Sequence, residues 1–348
     1  MAQNRTIVMF PKIQIDTAVS YFLLKYFGDE KFPGVRQANV EFWAEVPEDK
    51  TADQLEREGY ILLDLGGSKF DHHRLGQNNR TISSAHMVAK FLEVDDRPDL
   101  RKLLDFARRD DLEGKGILSS DPIDRAFGLS ALLTNLNRSI PDDPKQILEI
   151  VLPLLAGHYA EENRRHEILP KEFEELVKSG RAKKFNAVQL GRNLKVVYIE
   201  SDNPALAGYI RSKAVGADLV VQKAKGGHVN FITRQAARLD LRKLARLIKL
   251  LEAQKNDIVL PVDSERDLEA PGRTEGLPHW FYDARANTLQ NGGVQPQGIP
   301  ATKLTYEEIE QVTKQGLNVE RTRRGNFRER GNGGGYKVTR DKGVTIIE

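Results

Sequence analysis

Residues 60–74 read Tyr-Ile-Leu-Leu-Asp-Leu-Gly-Gly-Ser-Lys-Phe-Asp-His-His-Arg. An apolar run that short, bounded by a glycine pair, has the length and stop signal of a buried strand. Asp64 falls in its last turn, and eight residues on come His72 and His73, preceded by Asp71. A carboxylate at a strand end and two imidazoles in the next loop are able to converge on one point. Oxygen and nitrogen donors of that kind suit a divalent cation such as Mn²⁺ or Mg²⁺. A polar loop without an ion is the bland alternative.

Around this segment, strand and helix patterns alternate. Thr6–Phe10 and Val40–Ala44 read as further buried strands, and Ala18–Phe27, Ser83–Phe91 and Leu100–Ala107 as helices. Such alternation predicts an α/β fold with a mainly parallel sheet. In open α/β sheets ligands bind in the loops beyond the carboxyl ends of strands, which singles out the segments after Phe10 and Leu63. Asp16 stands in the first, directly before a helix, where capping would also explain it. Asp110 and Asp111 form an acidic pair after a helix, otherwise read as a solvated helix end.

From Asp121 to about Ser179 the pattern is helical, with Pro153 and Pro170 expected to kink or break it. A second α/β unit is expected at 185–255, with strands at 194–199, 218–222 and 229–233. Residues 256–319 read as an extension, and 320–348 as a flexible basic Gly/Arg-rich tail without fixed fold. Leu277–Tyr282 is an aromatic cluster, read as packing, with base stacking as the alternative. His158 and His166 read as surface or packing residues.

Composition bounds the function. The chain has 348 residues and no cysteine, which excludes disulfides, thiolate metal sites and cysteine nucleophiles. No apolar run of about 18 residues exists, and the N-terminal one is too short for a signal peptide, so a cytoplasmic protein is expected. The net charge is +3, yet residues 320–342 carry eight Lys/Arg against three Asp/Glu. The body is therefore slightly acidic and the tail cationic, a composition suited to RNA; a solubilising linker is the alternative.

Asp16, Asp64, the Asp71-His72-His73 triplet and the downstream acidic pair together resemble the DHH phosphoesterase superfamily. This family includes RecJ-type exonucleases, nanoRNases, cyclic-dinucleotide phosphodiesterases and manganese-dependent pyrophosphatases. The spacing from Asp64 through Gly66-Gly67 to Phe70-Asp71-His72-His73, with Ser83-Ser84-Ala85 following, is similar to the Myg-type branch. The resemblance covers about residues 5–115 and, more weakly, 185–235. It implies a DHH-type domain with helical linker over 1–180, and a smaller α/β DHH-associated domain over 185–255. There the Gly226-Gly227-His228 loop and Arg234 would contact substrate phosphate.

The first motif departs from the family's H-x-D-x-D. Lys12 stands in the place of the histidine and Gln14 in that of the first aspartate. The resemblance then implies one metal ion rather than two, held by Asp16, Asp64, His72 and either Asp110 or Asp111. Lys12, Gln14 and Arg74 are expected to bind phosphate oxygens. His73 is expected to contact the phosphate or protonate the leaving oxygen, and Asp71 to orient a histidine. The implied activity is hydrolysis of RNA ends, short oligonucleotides or a nucleotide-like phosphodiester. The alternatives are a catalytically degenerate nucleic-acid-binding protein and a pyrophosphatase-like hydrolase of small phosphates. A homodimer is left open.

Overall fold

Three short parallel strands form the sheet of the N-terminal half: β1 (Thr6–Met9) lies between β2 (Asn39–Phe42) and β3 (Tyr60–Leu62). Ile7 pairs with Val40 on one side and with Ile61 on the other. These strands belong to a computed structural model that describes residues 5–75, 81–261, 264–293, 297–321, 327–329, 338–341 and 344–347. The chain divides into two compact units, Met1–Ile168 and Leu169–Glu348.

Both faces of the first sheet are covered. α1 (Ile15–Phe27) is the central core helix, because residues 15 to 24 are all buried. It packs with α3 (Ser84–Phe91), α4 (Arg101–Glu113) and α7 (Pro144–Asn163) around Ile7, Met9, Phe22 and Leu23. A smaller cluster of Val8, Leu55 and Leu62 lies beneath α2 (Ala52–Arg57). Val8 points to the opposite face from Ile7 and Met9 across the pleat, which is why a four-residue strand supplies both faces. α5 (Pro122–Phe127) buries no residue and α6 (Leu129–Ser139) buries only Leu133.

Pro153 stays inside α7 without ending it. The break falls instead at a π-helical turn, Arg164–Ile168, after which α8 (Leu169–Lys178) buries Leu169, Phe173 and Leu176 in the second unit. The helical stretch expected from 121 to about 179 is thus interrupted here, and the boundary lies at 168/169 rather than at 180–185.

The second unit is not smaller than the first. It holds a seven-stranded sheet of order β4-β5-β6-β7-β10-β9-β8. Its strands are β4 (Ala182–Gln189), β5 (Arg192–Glu200), β6 (Leu219–Lys223), β7 (Val229–Thr233), β8 (Gly272–Thr274), β9 (Leu277–Asp283) and β10 (Thr288–Gln290). Only β5 and β6 run parallel; the other neighbours are antiparallel. α9 (Pro204–Arg211) covers one face, and α10 (Arg242–Lys255) and α12 (Tyr306–Leu317) the other, with α11 (Glu265–Glu269) against α10.

Residues 256–319 are therefore no separate extension. β8 to β10 complete the sheet, and Trp280 of the aromatic cluster is fully buried in its core. In the segment expected to lack a fixed fold, β11 (Val319–Arg321) pairs with β12 (Phe327–Glu329), and β13 (Val338–Asp341) with β14 (Val344–Ile347). Most of its Gly/Arg-rich sequence lies outside the described residues. Overall the protein is a mixed α/β chain, parallel in its first sheet and mainly antiparallel in its second. Among the described residues, no helix is long and apolar enough to cross a membrane.

Candidate metal centre

The loop after β3 is built by its own polar side chains. Strand pairing ends at Leu63, whose N–H donates to the Val8 carbonyl. Asp64 then turns into the left-handed region at φ 51°, which is uncommon outside glycine and is found at constrained sites. Gly66 follows at φ 66° with Val46 directly beneath, so a Cβ there would run into the Val46 side chain. The Ser68 hydroxyl donates to the Leu62 carbonyl at 3.0 Å. Phe70 is buried against Phe32 and Phe91, anchoring the loop in the core.

Asp71 closes this loop. Its carboxylate accepts from the N–H of Gly67 at 2.8 Å and from that of His73 at 2.9 Å. Where Asp71 is expected to orient an imidazole, its two oxygens serve backbone N–H groups, that of His73 among them.

His72 is buried, and its ring lies between two carboxylates. Nδ1 is 2.8 Å from Asp64 Oδ1, and Nε2 is 3.2 Å from Asp111 Oδ2. His73 stacks beside it with ring centroids 4.1 Å apart, half exposed, its Nε2 3.6 Å from Asp64 Oδ2. Asp64 first, then the charges of Asp111 and Asp16, hold the His72 pKa above its ordinary value against the effect of burial. Burial raises the Asp111 carboxyl. Burial also pushes Asp16 up to about 7, although hydrogen bonds from the Ser83–Ala85 segment oppose it.

Asp16 does act as a cap, but for another helix. Its two oxygens accept from the N–H groups of Ser84 and Ala85, both at 2.9 Å, at the start of α3. The Ser83-Ser84-Ala85 segment thereby fixes the Asp16 carboxylate, using donors that a helix start leaves unpaired. The acidic pair lies inside α4 rather than after it. Asp110 turns away to accept from the Ser130 hydroxyl at 2.7 Å, so Asp111 is the member that faces the cluster. The last turn of α4 holds no basic residue, and acidic groups there oppose the helix dipole. Such a placement costs stability and suits a site that gains a cation.

Do these residues fit a metal ion? Asp64 Oδ1, His72 Nδ1 and Asp111 Oδ2 are buried and have no hydrogen-bond partner. The 2.8 Å approach of Asp64 to His72 is short in distance but misaligned as a hydrogen bond. Buried polar atoms are normally paired, and three without a hydrogen bond at one place are atoms that a bound ion would satisfy. Their chemistry, carboxylate and imidazole, fits a divalent ion. The ligand atoms form two groups, Asp16–His72–Asp111 and Asp64–His72–His73, within each of which they lie inside 4.8 Å of one another. The single set of Asp16, Asp64, His72 and Asp111 is not assembled as expected, because the His72 ring stands between Asp16 and Asp64 and is shared by both groups.

Lys12 and Gln14 are exposed and are not among those ligand atoms. They line a cavity of about 290 Å³ beside the cluster, together with Asp16, Asp110, Asp111 and residues of α6. Arg74 is exposed on the loop after His73. The sequence pattern gives α6 only as part of a helical stretch and marks no functional residue on it. The Asn137 amide pairs with both backbone groups of Ile13, accepting at 3.0 Å and donating at 2.8 Å, and so holds the loop that carries Lys12, Gln14 and Asp16. The signal was present as a polar i, i+4, i+7 face of Ser130, Thr134 and Asn137.

The expected contacts of the second unit are not free for a ligand. Gly226-Gly227 forms the tight turn between β6 and β7, with the Gly227 N–H donating to the Ala224 carbonyl at 2.9 Å. His228 Nε2 lies 2.9 Å from the Ile299 carbonyl. The Arg234 guanidinium is paired with Asp218. His228 and Arg234 each have a partner inside the unit, while the Arg234 Nε is left without a hydrogen bond.

No family model matches the chain, and no curated protein does. A solved structure, an uncharacterized protein from Helicobacter pylori G27, aligns over 90% of this chain and 99% of its own, with 12% identity and a TM-score of 0.23. That likeness carries no argument about fold or activity.

Proposed function

We propose that this chain is a metal-dependent phosphodiester hydrolase of the DHH type, acting on RNA ends, short oligonucleotides or a nucleotide-like phosphodiester. The observation that carries the reading is that ligand atoms of Asp16, His72 and Asp111 lie within 4.8 Å of one another beside a cavity lined by Lys12.

One Mn²⁺ or Mg²⁺ would be held either by Asp16, His72 and Asp111 or by Asp64, His72 and His73. When bound, such an ion lowers the pKa of a coordinated water and polarises phosphorus. The protein's own groups supply the rest. Lys12 places a fixed ammonium at the cavity, where it offsets phosphate charge as the reaction proceeds. His73, half exposed and held 3.6 Å from Asp64, is free to give a proton to a leaving oxygen. Asp71 and Asp16 hold the loop and α3 in register and take no part in proton transfer. Arg74 offers a further cation at the rim.

The test is incubation with Mn²⁺ and short end-labelled oligoribonucleotides. Product that vanishes in Asp64→Asn supports the proposal. Salt-sensitive binding without turnover would overturn it in favour of a nucleic-acid-binding protein with a degenerate site. Turnover of pyrophosphate alone would assign the small-phosphate activity instead.

A further inference from the structure

The 290 Å³ cavity beside the metal cluster is chemically polarised, and the polarity says what it takes. Its donors sit on the loop after β1. Lys12 makes no hydrogen bond or ion pair among the described residues, and Gln14, two residues on, is exposed and carries an amide. The acceptors sit on α6 and α4. There the Ser130 hydroxyl spends its proton on Asp110 Oδ1 at 2.7 Å, and the Thr134 hydroxyl spends its proton on the Ser130 carbonyl at 2.9 Å. Both oxygens are left with lone pairs only. A phosphate oxygen therefore finds donors on the Lys12 loop and none at Ser130 and Thr134. A ligand hydroxyl finds acceptors there.

The lining carries three carboxyl groups, Asp16, Asp110 and Asp111, against the single ammonium of Lys12. An anion entering that field alone is repelled; one entering after a divalent cation is not. Among the described residues the lining includes no aromatic side chain, so nothing offers a base a face to stack on.

We propose that this cavity seats a phosphate monoester of a sugar, with its phosphate toward Lys12 and its hydroxyls toward Ser130 and Thr134, and that it does so only when the neighbouring Asp/His cluster holds a divalent cation. The inference rests on the metal-dependent reading above and deepens it. A substrate end is selected through phosphate and sugar, and its base is ignored. Asn137 is the positioning residue of the seat, since its clamp on Ile13 fixes the distance between the donor loop and α6.

The experiment is calorimetric titration of the full chain with ribose 5-phosphate and with inorganic phosphate, in Mg²⁺ and in EDTA. Ribose 5-phosphate is expected to bind at least tenfold tighter with Mg²⁺ than without, and at least fivefold tighter than inorganic phosphate. Lys12→Met should weaken both ligands tenfold or more while leaving the affinity for Mg²⁺ alone unchanged. Ser130→Ala combined with Thr134→Val should abolish the preference for the sugar and keep phosphate binding. Adenosine and uridine 5′-monophosphates should bind within threefold of each other. Equal binding with and without Mg²⁺ overturns the proposal, as does equal affinity for phosphate and ribose 5-phosphate, an unchanged Lys12→Met, or a retained sugar preference in the double variant. The two readings fail differently. Absence of Mg²⁺ and Mn²⁺ binding removes both, whereas ion binding without ribose 5-phosphate binding removes this one alone.

Discussion

The two units handle buried polarity in opposite ways. In the second unit, Glu252 is fully buried yet accepts from Trp280, Thr302, Lys303 and Asn256. Lys249, also buried, donates to the Leu268 carbonyl at 3.0 Å, and Arg246 is paired with Glu265. In the first unit, three buried atoms of Asp64, His72 and Asp111 meet without any such partner. Orphaned atoms do occur in the second unit, on Asn230, Arg234, Thr274 and His279, but none of these residues belongs to a group of convergent ligand atoms. The contrast teaches that residue type marks a site less well than unsatisfied chemistry does. Gly227, His228 and Arg234 look functional in sequence, and each has a partner within the unit in structure.

The comparison breaks first at the cluster. His72→Ala and Asp64→Asn should each weaken Mn²⁺ binding by more than about 100-fold, beyond what loss of an outer partner costs, with secondary structure kept by circular dichroism. Asparagine is the better substitute at Asp64, because it tolerates φ 51°. Asp111→Asn should cost about tenfold or more in the same titration, whereas Asp110→Asn should cost less than about threefold. Equal effects for the two would undo the assignment of Asp111.

Stability variants sharpen the contrast. Glu252→Ala strands four donors and should lower unfolding free energy by about 3 kcal/mol in urea while leaving Mn²⁺ affinity unchanged. Gly66→Ala meets both a left-handed φ and the Val46 side chain, and should cost about 3 kcal/mol. Gly67→Ala has the same handedness and open space, and should cost only about 1 kcal/mol.

The smallest effect is a pH slope. Burial lowers the Lys249 pKa from 10.5 to about 8. Between those values the unfolded chain binds the proton that the folded chain has lost, so stability rises with pH across that window. The rise should be present in the wild type and absent from Lys249→Met, in denaturation followed from pH 7.5 to 10. Identical slopes would show that Lys249 titrates normally.

The legible parts of the sequence were those in which local pattern and tertiary role coincide. Thr6–Met9 and Tyr60–Leu62 are strands because short apolar runs meet stop signals, and α1, α3 and α10 follow a 3.6-residue period. The charged residues 180–184 fall at the expected boundary between 180 and 185, yet Ala182–Gln189 is a strand that pairs along its whole length with β5. Lys183 and Lys184 stand on exposed strand positions, where hydropathy carries little signal. β8 and β10 are hidden for a similar reason: three-residue strands show too little period to detect.

At the site, the sequence alone determined the donor types. It put Asp64, His72, His73 and Asp16 beyond the ends of buried strands, and its lack of cysteine confined any ion to carboxylate and imidazole. Only the tertiary structure decided which of these groups are free. It assigned Asp71 to its own loop, Asp110 to Ser130 and His228 to a carbonyl, and it brought α6 to the cavity from more than a hundred residues away. The physical reason is that a side chain's chemistry is set by its atoms, whereas its availability is set by which partners the fold brings within hydrogen-bonding distance.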